Sequence, residues 1–352
     1  MTPSALFLTL ALLGLFVMLG FHRRSPPWRG LAHTLGLKHS RTGLWGELQG
    51  KTVEVYEDRG IVVVVHGVDP GFTIGRDSLR QQLAKPDILT GDRAFDERIR
   101  IEGNRSLALA ALRDYVRQMV NSLVLDFNGT VEGRELRARL TSASDLESVL
   151  PRLLDLAQNL ERPEPDEVPR ELARIAEHDA SKSVRLQALK ELGGAFRGSP
   201  EALEAARAVD ELDDVALQIE AGAILMRGAP SDQQRGQRLL ATLILDRGHR
   251  PATRRSALMT LQTHADKEIL EGMVTNLLAA ESAAPVDIRR AAIRVCEYRR
   301  LTQPLMTTVP LDEPEWVRRI QALEVIGDTS VQPTLLDWLE EEKRSVRIAA
   351  IR

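Results

Sequence analysis

At 352 residues with 43% hydrophobic side chains, the chain can hold two or three domains with ordinary cores, which excludes a disordered protein. Its net charge of −3, from 47 basic and 50 acidic residues, excludes a global positive field that would collect nucleic acid or anionic lipid. Aromatic residues make up only 4%, whereas Ala, Leu, Arg and Glu crowd the second half, which favours packed helices over sheets.

The chain begins with an apolar segment, residues 5–21, that carries no charged side chain. Its length nearly matches a bilayer core, so we predict a transmembrane anchor over residues 1–24. A cleaved signal peptide is the alternative, but no positive segment precedes the run and no small-x-small cleavage site follows it. Basic residues follow the run, beginning with Arg23 and Arg24, so the positive-inside rule predicts a single-pass protein with a cytoplasmic C-terminal body.

The pattern between residues 28 and 160 predicts a small α+β domain. Two β-branched runs within residues 46–67 flank a turn at residues 58–60 and predict a hairpin. Alternation around two glycines within residues 126–140 predicts a second hairpin. Apolar residues at helical spacing predict two helices, over residues 106–123 and 145–161.

Two acids stand four residues apart between the hairpins, in LTGDRAFDERIRIEG at residues 89–103. Asp92 and Asp96 would suit a metal ion or a shared proton, but no histidine is near and Glu97 points away from the pair. Aspartate is far commoner at turns and helix N-caps than in sites, so we favour a structural role. This segment contains TGD, then FD, then a hydrophobic-x-Gly sequence. In this it resembles a family of uncharacterised bacterial domains, which often follow an N-terminal anchor. The resemblance covers about residues 30–160 and implies no activity.

A proline-rich linker is predicted at residues 161–167, because Pro163 and Pro165 stand among charges and prevent helix continuation. After it, from residue 168, the motif VRLQALKELG recurs with drift. Its alanines are spaced 28 to 36 residues apart, which suits a helical hairpin, and keep one position small so that neighbouring helices approach closely. They are Ala188, Ala221, Ala257, Ala292, Ala322 and Ala350.

A second amphipathic segment, the A helix, precedes each motif helix, the B helix. This order, with A-L-x-x-L-G after a Val-Arg pair, resembles HEAT repeats over residues 168–352, about five and a half repeats. The resemblance implies an α-solenoid and is nearly silent on function. The last repeat stops at Arg352 without counterparts of Leu192 and Gly193, so we expect either a longer array or an open end that binds something.

A column of cationic or polar residues stands three positions before the alanines. Its members are Arg185, Gln218, Arg254, Arg289, Arg319 and Arg347. An anion-binding stripe is one interpretation; the one we favour pairs most members with an acid near the turn between the A and B helices. The candidate acids are Asp179, Asp213 or Asp214, Asp287, Glu313 or Glu315, and Glu342.

No catalytic signature is present in the sequence. Cys296 occupies a position that other repeats fill with Leu or Ile, so we interpret it as a buried hydrophobe rather than a nucleophile. The seven histidines show no i, i+4 pairing and no nearby cysteine, and no phosphate-binding loop, nucleophile elbow or Rossmann glycine pattern occurs. We predict no catalytic residue, cofactor, metal or small-molecule ligand.

At the positions two before and two after each alanine, basic residues concentrate in the third and fourth repeats and are interrupted by other residue types elsewhere. This distribution favours an acidic protein surface over nucleic acid as the partner. The candidate partner-binding residues are Arg255, Arg290, Arg294, Arg299 and Arg300. The sequence therefore predicts a mainly α-helical, membrane-tethered cytoplasmic scaffold or adaptor that binds a protein through its repeats. The alternative is a lyase-type or other enzyme built on a HEAT-like scaffold.

Overall fold

The computed structural model describes residues 28–76, 88–212, 214–282, 284–333 and 336. The chain divides into two compact units, Met1–Glu164 and Pro165–Arg352, and the division falls inside the proline-rich segment. Unit 1 carries an antiparallel sheet with helices, and unit 2 is helical.

Two predictions fall on residues that are not described. They are the anchor at residues 5–21 and the sixth repeat, with Arg347, Ala350 and the acid Glu342. Over the described ranges, no helix combines the length and the apolarity that a membrane crossing requires.

Unit 1 is built around an antiparallel sheet, whose described strands number eight and run in the order β1-β2-β3-β4-β8-β7-β5-β6. The central strand β4 is buried from Ile61 to Val65, whereas β3 alternates between buried valines and exposed polar residues. At β3, therefore, one face of the sheet lies against a core and the other is accessible, whereas both faces are covered at β4. The strands are β1 (Lys38–His39), β2 (Gly43–Leu48), β3 (Lys51–Glu57), β4 (Ile61–His66), β5 (Phe72–Arg76), β6 (Ile99–Gly103), β7 (Thr130–Glu132) and β8 (Glu135–Leu140).

The helices of unit 1 supply the rest of its core. They are α1 (Trp28–Leu35), α2 (Arg93–Asp96), α3 (Arg105–Ala111), α4 (Asp114–Asn121) and α5 (Leu146–Asn159). Helix α5 packs on β4 and β8, α3 packs on β5 and β6, and α1 contacts β2. A π-helical turn, Ser122–Asp126, continues α4 and contacts β5.

Both predicted hairpins are confirmed, although the first segment holds an additional strand. The turn at residues 58–60 joins β3 to β4, with Asp58 N–H donating to the Gly60 carbonyl at 2.9 Å. The prediction of one continuous helix over residues 106–123 is wrong, because Leu112 leaves helical geometry and separates α3 from α4. The sequence does not predict strands β5 and β6, since β6 lies far along the chain from the strand it pairs with.

Unit 2 is a series of helices, most of which pack on a sequence neighbour. In the described part, the A helices are α6 (Glu167–His178), α8 (Pro200–Val209), α10 (Pro230–Leu245), α12 (Lys267–Leu278) and α14 (Gln303–Thr307). The B helices are α7 (Lys182–Ala195), α9 (Val215–Leu225), α11 (Pro251–His264), α13 (Val286–Arg299) and α15 (Glu313–Ile326). Successive B helices contact one another along the series, as do α6 with α8 and α12 with α14.

The alanine column lies where the sequence predicts it, in the core between B helices. The alanines from Ala188 to Ala322 are at most 2% exposed. Gly222 follows Ala221 where other repeats place Leu or Ile, and the structure gives the reason: a Cβ at Gly222 would meet Leu240 of α10 at 2.8 Å. Opposite it, a Cβ at Gly236 would meet the Gly222 carbonyl oxygen at 2.8 Å, so the two glycines let α9 and α10 approach closely.

Candidate functional site

Four members of the column three positions before the alanines, on α9, α11, α13 and α15, bind the end of the preceding A helix. Gln218 donates to the Leu212 carbonyl at 2.9 Å, Arg254 to the Ile244 carbonyl at 2.6 Å, and Arg289 to the Leu278 carbonyl at 2.8 Å. These carbonyls lie at or just beyond A-helix C-termini, where backbone acceptors lack partners within the helix and the helix dipole favours a cation. Capping of the A helices is therefore the shared role of these residues.

The prediction that the column pairs with local acids is partly wrong. Arg319 does pair with Glu315, as predicted, but Arg289 also pairs with Glu315 instead of Asp287. Asp287 lies 3.8 Å from Arg290, and Asp214 caps the N-terminus of α9 by accepting from Leu217 N–H. Asp213 lies outside the described residues.

Glu315 joins two repeats through a buried ion cluster. Its carboxylate accepts two hydrogen bonds at 2.8 Å from Arg289 on α13 and two more from Arg319 on its own helix. Burial raises the pKa of the Glu315 carboxyl, but the hydrogen bonds from Arg289 and Arg319 outweigh burial and hold the pKa below its ordinary value. Arg254, Arg289 and Arg319 are thus part of the core and do not form an exposed anion-binding stripe.

The two aspartates of unit 1 are structural, as favoured from the sequence. Asp92 caps α2 by accepting from Phe95 N–H at 3.3 Å. The Asp96 carboxylate accepts from Thr90 N–H at 3.0 Å, Thr90 Oγ1 at 2.8 Å and Gly91 N–H at 2.9 Å. The buried Arg117 lies 3.4 Å from Asp92 Oδ2 and donates to the Leu112 carbonyl. These bonds fix the turn before β6 and join it to α4.

Cys296 is fully buried in the unit 2 core. Burial raises the pKa of its thiol to about 12, so the reactive thiolate is scarce at neutral pH. The interpretation of Cys296 as a buried hydrophobe is confirmed.

The five candidate partner-binding arginines do not share one environment. Arg299 donates to the Gln262 and Ala265 carbonyls at the end of α11, so its guanidinium serves packing between repeats. Arg290 is exposed and lies near Asp287. Arg255, Arg294 and Arg300 are exposed and have no ion-pair partner among the residues that the structure describes.

A depression of about 510 Å³ lies beside the B helices α11, α13 and α15, and we call it the B-face groove. Its lining residues are Met259, Gln262, Arg294, Glu297, Tyr298, Arg300 and Val325. The apolar members are unusually accessible: Met259 is 44% exposed, Tyr298 74% and Val325 64%. They come from α11, α13 and α15, so the groove runs across three successive repeats.

The B-face groove has the composition of a protein-binding surface. Exposed Tyr, Met and Arg are the side chains most enriched at interfaces, and two arginines share the lining with one carboxylate, Glu297. The sequence indicates Arg294 and Arg300 but not Tyr298 or Val325, because single exposed apolar residues carry no periodic signal. The available signal is their place on the outer side of B helices, next to the arginines.

Comparisons with known proteins assign no family to the chain. No family model matches it, and no match to a curated protein is found.

Proposed function

We propose that this protein is a membrane-tethered cytoplasmic scaffold whose HEAT-type helical array docks an acidic segment of a partner protein in the B-face groove. The observation that carries the proposal is that exposed apolar side chains line the same groove as two arginines that form no ion pair with a described acid. The helix pairs of unit 2, stacked on sequence neighbours with a small-residue column between them, support a solenoid scaffold.

Charge complementarity argues for an acidic occupant. Arg290 and Arg294 stand four residues apart on α13, and Arg255 stands four before Met259 on α11, so each pair shares a helix face. A partner carboxylate that replaces water at Arg294 or Arg300 gains a charge-assisted hydrogen bond without breaking an ion pair within the described residues. An apolar partner residue against Tyr298 and Met259 supplies the desolvated centre that binding hot spots need.

Site-specific crosslinking from the full chain in its native membranes tests this proposal. A benzophenone amino acid at Tyr298 is expected to capture one protein in stoichiometric amounts, whereas the same group at Ile269, exposed on the A helix α12, is not. Arg294→Glu together with Arg300→Glu is expected to abolish capture. The matched control, Arg238→Glu, reverses an exposed arginine on α10 and should leave capture unchanged. Equal capture by the groove variant and by Arg238→Glu overturns the proposal.

Membrane topology is tested separately. The basic residues that follow the apolar segment support a cytoplasmic body. A reporter fused to the C-terminus is expected to be active in its cytoplasmic form, and activity only in a periplasmic form contradicts this part of the proposal. Neither result bears on whether the groove binds a protein.

A further inference from the structure

Unit 1 contains a pocket that the scaffold function does not use. It lies between α4 with its π-helical turn and α5, and its volume is about 290 Å³. Five apolar side chains line it: Met119, Leu123, Phe127, Leu153 and Leu156. Three of them, Leu123, Leu153 and Leu156, are core residues that fix its floor, so the pocket is preformed.

The π-helical turn contributes directly to this pocket. Ser122, Leu123 and Phe127 all line it, and Phe127 N–H donates to the Ser122 carbonyl at 3.3 Å to close the wide turn. Short π-helical turns are rare and frequently occur at functional sites. Gly129 makes room for the arrangement, because a Cβ there would clash with the Leu123 side chain and with the Arg137 carbonyl oxygen.

The rim of the pocket carries one charge of each sign. Tyr115 on α4 donates to Asp155 Oδ2 on α5 at 2.5 Å, and Asn159 donates to Asp155 Oδ1 at 3.0 Å. The hydrogen bond to Asp155 raises the pKa of Tyr115, so its hydroxyl stays protonated at neutral pH. Arg152 is exposed at the same rim and has no ion-pair partner in the described parts of the chain.

The size and charge of the pocket select the class of ligand. A volume of 290 Å³ lies just below the usual range of small-molecule pockets, roughly 300 to 1,000 Å³, and therefore suits a small ligand. A partner helix, about 10 Å across, is too wide for it. An ion of either sign is attracted by one of Arg152 and Asp155 and repelled by the other, so its charge gains little to offset the loss of hydration against the apolar lining, a cost that an uncharged ligand does not meet.

We propose that this pocket binds a small uncharged molecule with an apolar ring or short alkyl chain and one hydrogen-bonding group that reaches the Tyr115–Asp155 rim. The apolar part replaces water against Leu123, Phe127 and Leu156. The polar group bonds to the free acceptor capacity of the Asp155 carboxylate or to Arg152. This site is independent of the B-face groove, which lies in the other unit.

Fluorine NMR with three ligands of one shape tests the proposal on the full chain. The ligands are 4-fluorobenzyl alcohol, 4-fluorobenzoate and 4-fluorobenzylammonium, which differ in charge at the same position. The alcohol is expected to bind at least tenfold more tightly than either ion, which corresponds to about 1.4 kcal/mol. Tighter binding of either ion, or no binding of the alcohol up to its solubility limit, overturns the proposal.

A filled pocket supplies the second arm of the experiment. Ser122→Phe places a ring into the cavity from the π-helical turn and is expected to reduce binding of the alcohol at least about tenfold. Ser148→Phe adds the same ring at an exposed site of α5, and this variant should bind the alcohol as tightly as the unmodified chain does. Partition of the ligand into detergent or lipid is the same for both variants, so their difference reports the pocket. Equal binding by both variants contradicts the proposal, provided that circular dichroism shows both to be folded.

Discussion

Glu315 on α15 accepts both hydrogen bonds of a bidentate ion pair from Arg289 on α13, at 2.8 Å each, and the two side chains are almost completely buried. The same Arg289 caps α12 through the Leu277, Leu278 and Ala279 carbonyls. One guanidinium therefore joins an A helix, its own B helix and the next B helix. Arg319 caps the next A helix in the same way, through the Leu305 and Thr308 carbonyls, but it pairs with Glu315 on its own helix.

Removal of the Glu315 charge is expected to destabilise unit 2 strongly. Glu315→Gln keeps the shape of the side chain but leaves Arg289 and Arg319 buried without a counterion. Breaking a buried ion pair in this way costs about 3 to 5 kcal/mol. Urea unfolding followed by circular dichroism measures the loss, with Glu324→Gln, an exposed site on the same helix, as the control that should change little. A loss no larger than that of the control contradicts the assigned role.

The stability gap between the unmodified chain and the Glu315→Gln variant is expected to close as the pH falls. The folded-state pKa of Glu315 is held below its unfolded value, chiefly because Arg289 and Arg319 donate hydrogen bonds to the carboxylate against the opposing effect of burial. The contribution of Glu315 is therefore fully present above the unfolded pKa and is lost as the pH falls through the folded pKa. Urea unfolding at several values between neutral and acidic pH measures the gap. A gap that stays constant over this range contradicts the assignment.

Local periodicity is sufficient to predict the helices of unit 2 and the buried alanine column, because both depend on spacing within one helix. The partner of Arg289 is not predictable in this way: Glu315 stands 26 residues later, and proximity along the chain favours Asp287 instead. The packing of the Arg299 guanidinium against another helix is not predictable for the same reason, and the sequence therefore places Arg299 among the exposed arginines. Its acceptors belong to α11, which only the packing of neighbouring repeats brings close.

Unit 1 shows the corresponding limit for strands. The hairpins are predictable because their partners are adjacent in sequence, whereas β5 and β6 pair across a long connection. The pocket beside α5 gives no signal either, since Met119, Phe127 and Leu156 are apolar residues that a core would equally accommodate. What makes them a pocket is the π-helical turn, which no spacing rule indicates.

Asp96 is expected to be essential for the stability of unit 1. Asp96→Ala removes the acceptor of three hydrogen bonds from Thr90 and Gly91, and hydrogen bonds to a charged group are worth about 1.5 to 3 kcal/mol each. Since these losses are not fully additive, we expect a destabilisation of about 3 kcal/mol. The neighbouring Glu97→Ala removes only an exposed pair with Arg93 and serves as the control in thermal unfolding. Equal effects of the two changes would show that the turn does not depend on Asp96.

Cys296 is expected to resist thiol reagents in the native protein and to react once unit 2 unfolds. Its side chain is fully buried, and burial raises the pKa of the thiol to about 12. Labelling with an aromatic disulfide at neutral pH, followed by absorbance, should therefore be slow in buffer and complete in concentrated urea. Rapid labelling in buffer, at a rate that urea does not increase, would place Cys296 at an accessible site.

Two helical glycines of unit 2 are expected to respond in opposite directions to the same substitution. A Cβ at Gly236 would meet the Gly222 carbonyl oxygen at 2.8 Å and the Leu225 Cβ at 3.0 Å, so Gly236→Ala forces α10 away from α9. Overpacking of this kind costs about 1 to 3 kcal/mol. Nothing lies within 4 Å of a Cβ at Gly272 on α12, so Gly272→Ala should stabilise the helix by about 1 kcal/mol through its lower unfolded-state entropy. Urea midpoints of the two variants, compared with the unmodified chain, measure both effects, and a stabilising Gly236→Ala would show that the α9 and α10 contact is looser than the structure places it.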